Sequence, residues 1–297
     1  MTAAERLPCS TVSLAAGESQ AGTASRYRHW LLIEQPGRWG HDALVDSGFP
    51  AEVGVRLRDA GRASHVRVLL IKNRDRPPAS RRRCFVAFTG RRERRLATFE
   101  VDDPAELRDL DLAAAAADRF RGIGEPVEGP LFLACTHGKH DPCCARLGAP
   151  LYRSVADAES ARAWEATHVG GDRFAGNLVC FPHGMYFGRV GPGDGPAVAA
   201  AYARGNVELD FYRGRSCLPP AAQAAEHHLR SELGLLGVDD VVAARERTEG
   251  DEVVVDLDTS AGPRTVWVRV DHLDERPLTC KASVAHRPRR YAVTAVE

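Results

Sequence analysis

Residues 130–192 read PLFLACTHGKHDPCCARLGAPLYRSVADAESARAWEATHVGGDRFAGNLVCFPHGMYFGRVGP. The segment carries Cys135, Cys143, Cys144 and Cys180, together with His137, His140, His168, His183 and Asp172. Core packing has no need for donors at that density, so the segment points to a metal or a redox-active group. Its apolar pattern sets the fold. The run 131–134 predicts a short buried strand ending at Cys135, 143–156 a helix, and 163–167 a strand leading to His168. Residues 177–181 and 185–190 predict a hairpin turned at Pro182-His183-Gly184, and 197–204 a helix closed by Gly205. This β-α-β-β-β-α order is that of a thioredoxin-like α/β layer.

Working outward toward the N-terminus, the same order recurs. Strands are expected at 29–34, 66–71, 84–89 and 96–101, with a helical stretch over 42–60 interrupted by Gly48, Phe49 and Pro50. Asp103-Pro104-Ala105-Glu106 has the form of a capped helix start, predicting a helix to about Phe120. Before all this lies a Ser/Ala/Gly-rich leader to Ser25, expected to be flexible, in which Cys9 says little. The Pro- and Arg-rich stretch 74–83 is expected to be a loop. The Arg clusters at 81–83 and 91–95 are read as solvated loops between strands, with an acidic partner or a phosphate as the alternative. After Ser216 the character changes: a helix opens at Pro219-Pro220 with Ala222, Ala225, Leu229 and Leu233 on one face, and 252–257 pairs with 265–270 as a hairpin, with a further strand at 291–296. The expected organisation is an N-terminal α/β region over 1–125, a thioredoxin-like domain over 126–216 and a C-terminal α+β appendage over 217–297.

Composition bounds the function. The chain has 297 residues, 44% of them hydrophobic, which can supply substantial cores. Its formal net charge is zero, so no overall field draws it to nucleic acid or to an anionic membrane. No apolar run is long enough to span a bilayer, and the opening MTAAERLPCS has no apolar segment of the signal type. The expected location is the cytoplasm. In that reducing setting the 8 cysteines are thiols or metal ligands rather than a disulfide framework.

Cys135 and Cys144 are separated by eight residues, and Gly138 and Pro142 let the loop between them fold back. His168 and Asp172 add two donors flanking Gly170-Gly171, glycines that let the backbone approach a bulky ligand. Two pairs make four donors, the number that an iron–sulfur cluster or a tetrahedral zinc needs. His137, His183, His227 and His228 are read as structural or solvent-facing, and Cys84, Cys180, Cys217 and Cys280 as buried packing.

The run CTHGKHDPCC, then WE-x-x-HVGGDRFAGN, YFGRV and YRGRS, resembles the sucrase/ferredoxin-like family, from WLLIEQPGRWG through about Ser216. The resemblance implies a thioredoxin-like [2Fe-2S] ferredoxin domain. The family's two cysteines and His-x-x-x-His pair fall on Cys135, Cys144, His168 and Asp172, with an aspartate where the second histidine stands. Cys143 or Cys180 is the alternative fourth ligand. Cys143, Lys139, His140, Arg173 and Asn177 are expected around the ligands, where they would tune a potential or satisfy loop backbone groups. Arg213 and Arg215 face an acidic partner or form a fold-stabilising network. The implied function is one-electron transfer with a redox partner protein or reductase, without nucleic acid or membrane. The alternatives are a thiol-dependent thioredoxin-like oxidoreductase and a zinc-bound or metal-free binding module. No carboxylate pair in a glycosidase setting supports a sucrase activity.

Overall fold

A computed structural model describes residues 7–76 and 80–297. The first six residues of the leader and Pro77-Pro78-Ala79 of the 74–83 loop lie outside the described residues. The chain is a mixed α/β fold built on one ten-stranded sheet and one four-stranded sheet.

Each apolar run of the first third forms a strand: β1 (His29–Glu34), β2 (Val66–Lys72), β3 (Arg82–Thr89) and β4 (Arg94–Val101). A leader helix α1 (Cys9–Ala15) precedes them, and α2 (Ala51–Ala63) joins β1 to β2. After β4 the capping box at Asp103 and Glu106 forms as the sequence predicts, but it starts a 3-10 turn over Pro104–Asp109. Asp111 then caps a separate short helix, α3 (Leu112–Ala117), by accepting from the Ala113 and Ala114 amides. A second strong capping side chain eight residues after the first thus splits the expected single helix. The short β5 (Glu125–Pro126) closes this half.

The second half repeats the plan with β6 (Leu131–Cys135), α4 (Pro142–Glu159), β7 (Ala163–Ala166), β8 (Leu178–Phe181), β9 (Met185–Phe187), α5 (Gly195–Ala203) and β10 (Tyr212–Arg215). The sheet order is β10-β9-β8-β6-β7-β2-β1-β3-β4-β5. In each half the two strands flanking the crossover helix are parallel, and the next strand pairs antiparallel to the first. The halves meet where β2 and β7 pair antiparallel through Ile71↔Ala166 and Lys72↔Glu165.

Alternation along the strands sorts the side chains into two faces. Trp30, Leu32, Phe85, Leu131, Leu133, Trp164, Val179 and Phe181 from both halves share one core. The sheet therefore curls on itself, with Trp30 edge-on to Phe181 at 5.1 Å and Phe85 edge-on to Trp164 at 5.5 Å. The opposite face is covered by α4 and α5 over the second half and by α2 and α3 over the first.

The C-terminal region is α6 (Pro220–Leu233) laid on the antiparallel sheet β11 (Val241–Glu249), β12 (Glu252–Thr259), β13 (Arg264–His272) and β14 (Arg289–Val296). Ala222, Ala225 and Leu229 are buried against Val255, Leu257, Val266 and Val268, the helix face that the apolar spacing predicts. β11 went unread in the sequence because its second half, Arg-Glu-Arg-Thr-Glu, is polar.

Three readings change. The leader is not free: Cys9 and Ser13 of α1 are buried, and the expectation of a flexible leader overlooked tertiary contacts that its Ser/Ala/Gly composition does not reveal. The Arg clusters stay solvated between strands, but they are paired within the chain. Arg81 and Arg83 pair with Glu100, Arg92 with Asp258 and Arg94 with Asp239. Arg213 and Arg215 are buried, so they form the network rather than a docking surface. Arg215 and Arg230 clasp the fully buried Glu226 at 3.0 Å each, which ties β10 to α6.

Candidate metal centre

β6 and β7 run parallel, so their C-terminal ends open on the same edge of the sheet. Cys135 ends β6, and His168 follows β7 by two residues. The return loop to β8 comes back to that edge, where Leu178 pairs with Ala134. A single 3-10 turn in this loop, Asp172–Phe174, presents Asp172. Across the edge, Asp141 caps α4 by accepting from the Cys143 amide, and Pro142 occupies the first turn. This start directs Cys144 inward. α4 reaches the strand end closely because Gly148 packs on the Cys135 carbonyl, where any Cβ would collide.

The donors converge. One ligand atom each from Cys135, Cys144 and His168 lie within 4.8 Å of one another, as do those of His140, His168 and Asp172. The Cys144 thiol donates to Asp172 Oδ1 at 3.2 Å, and His168 Nδ1 lies 3.0 Å from the same oxygen. His168 Nδ1 is nevertheless buried without an aligned hydrogen bond. The imidazole and the Cys144 thiol thus converge on the same carboxylate oxygen. Two thiols, an imidazole and a carboxylate are the donor chemistry of an iron–sulfur or zinc centre, so the residues fit such a group.

Electrostatics favours the charged forms of Cys135, His168 and Asp172 and the neutral thiol of Cys144. A hydrogen bond from Cys144 and the nearby His168 hold the Cys135 thiol well below its usual range against the effect of burial, while that same hydrogen bond to Cys135, and burial, push Cys144 up. Burial alone would lower His168, but Asp172 and Cys135 outweigh it and raise the imidazole to about 9. Burial works to raise Asp172, and the His168 cation brings it below the usual carboxylate range.

The neighbouring residues divide into those that face the centre and those that do not. His140 stacks on His168 with ring centroids 3.7 Å apart, and its Nε2 lies 3.9 Å from Asp172 Oδ2. Asn177 donates to the Gly171 carbonyl and accepts from Arg213 at 2.7 Å. Arg173 turns away to Glu18 at 2.8 Å. Lys139 offers its carbonyl to Lys281 Nζ. Cys143 faces Cys9 and Cys280 instead of the centre. Cys180 sits on the other face of the sheet with Phe132 and Met185, since alternation separates it from Leu131, Leu133 and Cys135 on the inner face. Neither cysteine is positioned to replace Asp172. Gly170 and Gly171 are required by φ of 105° and 82°, and a Cβ would strike Ser25 and Arg213. They admit protein atoms, where the sequence suggested room for a ligand.

Two contributors escaped sequence reasoning. His137, read as structural, donates from Nε2 to the Gly40 carbonyl at 2.7 Å if its Nδ1 accepts the His168 amide at 3.3 Å, an arrangement that holds the backbone of the ligand loop. Arg213 donates to the Gly170 carbonyl at 3.1 Å and to Asn177, pinning the loop from below. The YRGRS motif was the signal for Arg213. The centre opens into a cleft of about 580 Å³ lined by His41, Arg58, Arg62, His65 and Arg67 along with His137, His140 and His168.

The profile of the sucrase/ferredoxin-like family matches residues 20–214, which is more than half of the chain. The chain belongs to the sucrase/ferredoxin-like family. The match encloses the whole ten-stranded sheet except the last residue of β10. A curated relative, altered inheritance of mitochondria protein 32 of Meyerozyma guilliermondii, is 31% identical over 101 residues, covering 30% of this chain and 36% of the relative. The alignment thus spans about a third of that relative's length. No solved structure matches. Among the described residues no helix is long and apolar enough to cross a membrane.

Proposed function

We propose that this protein is a one-electron carrier holding a [2Fe-2S] cluster through Cys135, Cys144, His168 and Asp172, on a sheet half of thioredoxin-like order. The observation that carries the reading is the convergence of two thiols, an imidazole and a carboxylate at one sheet edge, with the sulfur of Cys135 favoured as thiolate. When bound, the cluster supplies one-electron redox chemistry. The chain's own residues bind and tune. His137 and Arg213 fix the loop that presents His168 and Asp172, and His140 lies over His168 at the cleft. Because His168 can lose its second proton, reduction is expected to be coupled to proton uptake at the imidazole.

The cleft rim, with Arg58, Arg62, Arg67, His41 and His65, suits an acidic redox partner or reductase. Eight cysteines without a disulfide suit a reducing compartment such as the cytoplasm. A thiol-dependent oxidoreductase is less well supported, because Cys135 and Cys144 are 1% and 0% exposed and offer no access to a substrate. A second reading, a single tetrahedral zinc, is favoured by the 3.2 Å between Cys144 Sγ and Asp172 Oδ1, a spacing of adjacent ligands on one ion.

The experiment is anaerobic purification followed by visible absorption and assays of iron and acid-labile sulfide. Visible absorption that bleaches with dithionite, with about two iron and two sulfide per chain, is expected. A colourless protein without iron after anaerobic reconstitution overturns the reading, and about one zinc held by the same residues would replace it.

A further inference from the structure

A second set of donors lies on the far side of the α4 start, and it is assembled from the two ends of the chain. Cys9 opens α1, Cys143 is in the first turn of α4, and Cys280 lies in the connection between β13 and β14. Their sulfurs form a near-equilateral triangle, with 3.7 Å between Cys9 and Cys143, 3.3 Å between Cys143 and Cys280, and 3.6 Å between Cys280 and Cys9. A tetrahedral zinc with Zn–S of about 2.3 Å spaces its sulfurs about 3.8 Å apart. All three are free thiols.

The fourth donor is Asp141. It is fully buried, and both its carboxylate oxygens lie 3.9 Å from Cys9 Sγ. Its oxygens accept the amides of Cys143 at 2.8 Å and Cys280 at 2.6 Å, which orients the carboxylate without neutralising it. Among the described residues no cation pairs with Asp141. A buried carboxylate with no cation is costly, and a divalent ion beside it removes the cost. The sulfurs also have the supporting contacts that bound thiolates use: the Cys9 amide donates to Cys280 Sγ at 3.4 Å, and Ser10 Oγ lies 3.2 Å from Cys143 Sγ. A cleft of about 610 Å³ lined in part by Cys9 and Cys280 gives the ion a way in.

We propose that Cys9, Cys143, Cys280 and Asp141 bind a structural zinc ion that staples α1 and the C-terminal region to the start of α4. Each ligating thiol releases its proton to solvent as the metal–sulfur bond forms. Cys143 and Cys144 are adjacent on one helix and so point in different directions, one to each centre. The staple also bears on the loop carrying His140, because Lys281, next to Cys280, donates to the Lys139 carbonyl. The site stands independently of the cluster reading. Two of its ligands lie outside the matched family region of residues 20–214.

The test uses the full chain, purified, stripped with chelator and reloaded with zinc sulfate. Zinc is measured by mass spectrometry in the unaltered protein, in Cys9→Ser/Cys280→Ser and in Cys135→Ser/Cys144→Ser. About one zinc per chain should survive in the Cys135/Cys144 variant and be lost from the Cys9/Cys280 variant. On the unaltered chain, alkylation should spare Cys9, Cys143 and Cys280 when zinc is present and modify them once a chelator is added; this arm decides the matter even where a variant fails to fold. Equal alkylation with and without zinc, a disulfide among the three in the reduced preparation, or unchanged zinc in a folded Cys9/Cys280 variant overturns the proposal.

Discussion

The two halves of the large sheet have the same strand plan, β2-β1-β3-β4-β5 and β7-β6-β8-β9-β10, yet among the described residues only the second presents a cluster of donors at its strand ends. The difference lies in what fills the equivalent loops. β6 ends in Cys135 and passes through residues 136–141 into α4, whose first turn carries Cys143 and Cys144. β1 ends in Glu34 and needs residues 35–50 to reach α2, whose first turn is Ala51-Glu52-Val53. Glu34 is spent on Arg76 at 2.8 Å and on the Arg83 amide. Topology puts an open strand edge in both halves. Short loops and donor side chains turn one of those edges into a site, and the other half supplies the basic wall of its cleft.

The largest effect that tests this contrast is loss of metal. Cys135→Ser or His168→Ala should abolish the bound metal of the proposed cluster site, while Glu34→Gln at the equivalent strand end should leave it unchanged. Iron assay and visible absorption read both, and equal loss in Glu34→Gln would break the contrast.

The next effect concerns two glycines that serve the same purpose in the two crossover helices. A Cβ at Gly148 meets the Cys135 carbonyl, and one at Gly54 meets the Leu44 carbonyl. Gly148→Ala and Gly54→Ala should each destabilise by about 1–3 kcal/mol through overpacking, measured by urea unfolding. Only Gly148→Ala should also weaken metal retention, because it displaces a ligand strand.

The smallest effect near neutral pH is on pH dependence. Burial, helped by Arg94 and Arg215, lowers His183 in the second half to about 3, and burial lowers His29 in the first half as well. A folded pKa below the unfolded value of about 6.5 means that the unfolded chain takes up the proton first. Stability is therefore complete above about pH 6.5 and falls as the pH drops toward the folded value, by at most about 1.4 kcal/mol per pH unit for each group. His183→Asn should flatten the acid limb of a stability curve more than His29→Asn does, and an equal change in both would remove this distinction.

Much of the fold was legible because its signals are local. Continuous apolar runs predicted β1, β2, β3, β6 and β8, and the apolar face of α6 was evident from its spacing. The expected helix after Asp103 was broken by Asp111, and β11 was hidden by its polar half. At the candidate centre, the donor residues themselves could be read from their concentration in one segment. The supporting roles of His137 and Arg213 could not, since each acts on backbone carbonyl or amide groups distant in sequence.

The sequence by itself determined the family, most of the strands and the inventory of donors, because apolar periodicity and motif spacing are properties of neighbouring residues. Only the tertiary structure decided which donors meet. Strand alternation sends Cys135 and Cys180 to opposite faces, and helix geometry parts Cys143 from Cys144. Cys9 and Cys280 come together across 271 positions of chain. No local pattern encodes that meeting, because it depends on how α1 and the β13–β14 connection pack against the start of α4.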